Sequence, residues 1–139
     1  MLKKAQALIS QYISYKDTMK RKSKESDVTS AFIKTADDYI LLAENIDEAR
    51  NRAFIAVLAW NISLYPKEQI AERIRLLALE YEKNNPGIVK AEYLSHDLQI
   101  LVDKKLKKFS YIKRTITKIG VEEKYDKYEF ITESIPFSL

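Results

Sequence analysis

With 139 residues, 46% of them apolar and 32% charged, the chain has the composition of one globular domain and not of a disordered segment. Two glycines and three prolines are too few for a many-stranded sandwich or barrel, and with no cysteine there can be no disulfide, thiolate metal site or cysteine nucleophile. The net charge of +4 is uneven: residues 1–26 carry seven basic and two acidic side chains, residues 27–97 eight and twelve, and residues 98–139 nine and six, so basic ends flank an acidic middle.

In chain order, Leu2, Ala5, Leu8 or Ile9, Tyr12 or Ile13, and Met19 fall on one helical stripe, which predicts an amphipathic helix over residues 2–20. The polar Ser10, Gln11 and Lys16 interrupt any secretory apolar stretch there, which points to a cytoplasmic protein. The basic run Lys20-Arg21-Lys22-Ser23-Lys24 follows. Ser26 then reads as the N-cap of a second helix over Val28–Asn45, whose apolar face takes in Val28, Ala31, Phe32, Ala36, Tyr39, Ile40, Leu42 and Ala43. Asp47 reads as the next N-cap, with Glu48 in the first turn.

The third helix, Glu48–Leu64, is apolar on nearly every side from Ala53 onward, the pattern of a helix surrounded by protein. Its run of twelve residues, broken by Asn61 and Ser63, is short of the roughly 20 needed to span a membrane, so no membrane association is expected. Trp60 reads as a core anchor. Asn61 is the discordant residue: its amide needs a partner, or it faces a groove or a second subunit. Tyr65-Pro66 stops this helix. A fourth follows with Ile70, Ala71, Ile74, Leu77, Ala78 and Tyr81 on its stripe, up to the loop Asn84-Asn85-Pro86-Gly87. A fifth, Ile88–Phe109, has Val89, Tyr93, Leu94, Leu98, Ile100, Leu101 and Leu106 as apolar positions and ends in Lys104, Lys105, Lys107 and Lys108.

Beyond Phe109 the residues turn β-branched and aromatic. Thr115–Thr117 and Tyr128–Glu133 predict two strands with a turn at Lys124–Lys127, and Pro136–Leu139 reads as a loose tail. The expected architecture is mainly α: a single domain with a bundle of about five helices (residues 1–110) and a C-terminal β-hairpin or extended arm (residues 111–139). A hairpin is marginal alone, so it must dock on the helices or on another chain.

Chemistry-bearing patterns are sparse. Glu92 and His96 stand one helical turn apart, but a di-metal bundle needs matching carboxylate–histidine pairs and His96 is the only histidine. Ser95-His96-Asp97 are neighbours and cannot converge as a triad. Two glycines cannot build a phosphate-cradling loop. Asp37, Asp38, Glu44, Asp47 and Glu48 lack calcium-ligand spacing and read as helix-start residues. No cofactor or metal is therefore expected. The leading expectation is a non-catalytic module that binds a protein partner or a second copy of itself, as a homodimer. The first alternative is a nucleic-acid-binding regulator using residues 16–24 and 104–118, with Lys20, Arg21, Lys22, Lys104, Lys105, Lys107, Lys108, Lys113 and Arg114 as contacts and interleaved Tyr12, Tyr15, Phe109 and Tyr111. An enzyme with a carboxylate–His96 site is the last.

Overall fold

The computed structural model describes residues 24–139. Four helices and a hairpin follow in order: α1 (Lys24–Ile40), α2 (Ile46–Ile62), α3 (Lys67–Asn84), α4 (Ala91–Phe109), β1 (Arg114–Lys124) and β2 (Lys127–Pro136). The mainly helical class and the C-terminal hairpin are as expected. The described helices number four, not five, and the stripe over residues 2–20 lies outside the described residues.

Helix boundaries differ from expectation at α1, α2 and α4, the last of which starts at Ala91 and not at Ile88. Helix α1 already runs at Lys24, so Ser26 lies inside it, and it ends at Ile40, short of Asn45. Leu42 is consequently in a turn and 67% exposed instead of on the buried face. The N-cap of α2 is Asn45, not Asp47: the Asn45 side chain accepts from the Glu48 N–H at 2.8 Å, and Asp47 and Glu48 occupy the first turn. Asn45 is itself a strong capping residue, and its placement leaves both carboxylates beside the positive end of the helix.

Helix α2 is the central element and touches α1, α3, α4 and β1. Ala49, Ala53, Ile55, Ala56, Val57, Ala59, Trp60 and Ile62 are buried. The burial is not all-round, since Phe54 is 49% exposed. Trp60 meets Phe32 of α1 edge-on, with ring centroids 6.2 Å apart. Past α3, Gly87 adopts φ +81, the left-handed conformation that glycine tolerates best, so the chain can turn sharply into α4.

β1 and β2 pair antiparallel around a two-residue turn, Tyr125-Asp126, and a bulge at Thr117 shifts the register between Ile116 and Lys118. Both turn residues have positive φ, 53 and 63, the mirror-image geometry that matches strand twist and that Asn-Gly adopts most readily. Ile116, Val121, Tyr128 and Phe130 bury into the same core as the helices. The Thr29 and Thr132 hydroxyls pair at 2.6 Å, joining α1 to β2. The expected loose tail is also docked: the Phe137 N–H donates to the Lys113 carbonyl, and its ring meets Tyr65 edge-on at 5.2 Å.

Hydrogen bonds from helix side chains hold the hairpin in place. The Asn61 amide donates to the Ile116 carbonyl at 2.9 Å and accepts from the Ile116 N–H at 2.9 Å, the two bonds a neighbouring strand would otherwise supply. Trp60 Nε1 donates to the Arg114 carbonyl at 2.9 Å, and Arg50 Nε to the Val121 carbonyl at 3.0 Å. The hairpin therefore docks on its own chain. Replacing Asn61 with Ala leaves two backbone groups of Ile116 without protein partners, so a loss of about 1–3 kcal/mol is expected in urea unfolding, with faster exchange of the Ile116 amide. A stability change within about 0.3 kcal/mol, inside the range of an ordinary surface substitution, contradicts this assignment.

Candidate interaction surfaces

Trp60 is buried in the core, 1% exposed. Asn61 lines a groove but is not a free polar group in it, because Ile116 takes both ends of its amide. The sequence marked Asn61 as needing a partner, and the partner is an edge strand 55 residues away.

The basic positions divide into several kinds. Lys20, Arg21 and Lys22 lie outside the described residues. Lys107, Lys108 and Lys113 are exposed. Lys104 pairs with Asp38 at 3.4 Å. Arg114 donates from Nε to the Ser134 hydroxyl at 2.9 Å and from its terminal nitrogen to the Ser134 carbonyl at 2.8 Å, which ties the open end of the hairpin together.

Lys105 is the clear departure. It has no exposed surface and cannot meet a phosphate as expected. Its ammonium donates to the Ile112 carbonyl at 2.9 Å and sits 5.0 Å from the centre of the Trp60 ring. Both interactions favour a cation, but burial dominates and, with the nearby Lys113 charge adding to it, lowers the amine to about 8. The spacing could have revealed this: residue 105 continues the buried series Leu94, Leu98, Leu101, Val102 at helical intervals.

A pocket of about 350 Å³ lies at the α4–β1 corner, bounded by Asp27, Val28, Tyr111, Ile112, Lys113, Arg114 and Pro136. Tyr111 is 74% exposed there. Asp27 and Val28, three and four residues past Lys24 on α1, share this pocket with Lys113 and Arg114.

A second surface lies between α2 and α3. Leu58, Asn61, Ile62, Tyr65, Arg73, Leu76, Leu77 and Glu80 line a groove of about 300 Å³. Leu76 and Leu79 are 52% and 47% exposed, and Phe54 stands one turn before Leu58 on α2. The Arg73 guanidinium lies 3.5 Å from the centre of the Tyr65 ring and bonds Gln69, so one end of the groove is fixed.

Glu92 and His96 are exposed on the side of α4 away from its buried stripe. Among the described residues, no group of three or more His, Cys, Asp or Glu is placed to hold a metal ion, and no helix is long and apolar enough to cross a membrane. The carboxylates near the α1–α2 break serve local ends: Glu48 bonds Arg52 at 3.3 Å and accepts from the Glu44 N–H, and Asp47 pairs with Arg50 at 3.7 Å.

The buried amine of Lys105 has a pH signature. Between about pH 8 and its ordinary value of 10.5, the unfolded chain keeps a proton that the folded chain has lost, so the Lys105 contribution to stability rises with pH across that window. The stability of the natural chain relative to Lys105→Met is expected to increase from pH 8 to 10.5 in denaturant titrations. A constant difference contradicts it.

No protein-family model, curated protein or solved structure matches the chain.

Proposed function

We propose that the chain is a non-catalytic helical interaction module that binds a protein partner or a second copy of itself through α3 and the α2–α3 groove. One observation carries this reading: Phe54, Leu76 and Leu79 are each about half exposed beside a groove lined by Leu58 and Leu77, whereas apolar residues elsewhere on α2 and α3 are largely buried. Charged side chains rim the apolar centre, the layout of a recognition patch. Hydroxyl-radical footprinting of the whole chain, pure and in cell extract, tests it. Protection of Phe54, Leu76 and Leu79 is expected in at least one setting. Unchanged reactivity of all three in both settings removes the reading.

A second reading, nucleic-acid binding, is favoured by the α4–β1 corner, where Lys107, Lys108, Lys113 and Tyr111 are exposed and where Lys113 and Tyr111 line a pocket with Asp27 of α1. Cations that contact phosphates release counterions, and an exposed tyrosine can stack on a base. Affinity for a single-stranded oligonucleotide is expected to fall steeply with salt, and the triple change Lys107→Glu, Lys108→Glu, Lys113→Glu to lower it by about tenfold or more. Absence of binding at low salt eliminates this reading.

A further inference from the structure

Helix α3 carries apolar side chains on two opposite faces. Ile70, Ile74 and Ala78 are buried in the core. At about 100° per residue, Leu76 and Leu79 fall on the other side of the helix, near the middle of its solvent face. Glu72 and Lys83 fall on the same line, so Glu72, Leu76, Leu79 and Lys83 recur at intervals of four, three and four, the seam spacing of a two-helix coiled coil. Arg73 and Glu80 flank the seam on one side, and Arg75 and Glu82 on the other.

This pattern is its own complement when reversed. In an antiparallel pair of α3 helices, centred between Leu77 and Ala78, Leu76 of one copy meets Leu79 of the other, and Glu72 meets Lys83. On the flanks, Arg73 faces Glu80 of the second copy and Arg75 faces Glu82. Every charged position meets the opposite sign, and two-fold symmetry produces each pairing twice. A parallel pair would set Glu72 against Glu72 and Lys83 against Lys83 in the seam, and would leave Arg75 with Glu80 as its one attractive flank pairing within this span. Within one chain Arg75 bonds Glu72, an exposed pair of little energetic weight that can exchange partners.

We propose that α3 is a homodimerisation helix that pairs antiparallel with α3 of a second copy through Leu76 and Leu79, with register fixed by the arginine–glutamate flanks. The proposal rests on the interaction-module reading above and names the partner. The seam spans Glu72–Lys83, about 17 Å of helix, so the contact belongs to the small, weak class of interfaces.

Sedimentation equilibrium of the full chain, up to about 0.5 mM so that a weak dimer would populate, tests it. A monomer–dimer equilibrium is expected for the natural chain, together with its loss in Leu76→Gln/Leu79→Gln. Two charge variants test the register. Arg73→Glu/Arg75→Glu makes all four flank positions acidic, and Glu80→Arg/Glu82→Arg makes all four basic, so each alone is expected to self-associate about tenfold or more weakly. Mixed together they are expected to form a heterodimer, because every flank contact is again attractive. All substituted side chains are on the surface, and unchanged circular dichroism verifies folding.

A natural chain that stays monomeric overturns the proposal, as does a dimer unaffected by these changes or a mixture that fails to associate. If the pure chain is monomeric and Leu76 and Leu79 are protected only in extract, this proposal fails and the broader module reading stands. If Phe54, Leu76 and Leu79 are all reactive in both settings, both fail. Protection of the two leucines in a pure monomer assigns the face to another part of the same chain and likewise overturns it.

Discussion

The edge of β1 that no strand among the described residues pairs organises this fold. A strand edge presents backbone donors and acceptors that must be satisfied, and a two-stranded hairpin has too little apolar surface to stand by itself. Here the helices complete the edge with side chains. Lys105 takes the Ile112 carbonyl, Trp60 the Arg114 carbonyl, and Asn61 both backbone groups of Ile116. Ile112 lies two residues before β1, and Arg114 and Ile116 are two apart within it, the repeat of a strand, so side chains from α4 and α2 act along this edge as a discontinuous neighbouring strand. Arg50 adds a further point beyond the bulge, at Val121. The helical layer and the hairpin are thus one structure, with α2 serving both as the centre of the core and as the partner of β1.

The same arrangement explains why Lys105 is a lysine. An apolar residue would suit the Leu94–Leu98–Leu101 stripe, but it would leave the Ile112 carbonyl without this donor at the point where the chain leaves α4 for β1. The amine reaches across that corner while its stem packs among apolar neighbours, and the Trp60 ring face offsets part of the burial of charge. The depressed proton affinity follows from the structural task, and no catalytic role is needed to account for it.

Much of this architecture was legible in the residues. The apolar density of Ala53–Leu64 located the central helix, Asn84–Gly87 located the loop between α3 and α4, and the β-branched segments located both strands, because each signal is local. Asn61 announced a missing partner without naming it, since the partner is remote in sequence. Lys105 was misread because charge was weighed as composition when its spacing on α4 was the better guide. The early end of α1 and the choice of Asn45 over Asp47 as cap were missed for a different reason: neighbouring residues offered comparable caps, and packing decided between them. The outward leucines of α3 were hidden among inward ones, and only the burial of Ile70, Ile74 and Ala78 separates the two faces.

The two ends of the hairpin are held in different ways. Tyr125 and Asp126 both hold left-handed backbone geometry that costs side-chain-bearing residues energy, so this tip is a poor place for two strands to begin zipping. The strong fixed points lie at the opposite end, where Trp60, Asn61 and Lys105 grip residues 112–116. Those contacts exist only after α2 and α4 have come together. The hairpin is thus held by non-local contacts that depend on the packing of α2 against α4, while its tip is closed by a turn that its own residues adopt at a cost.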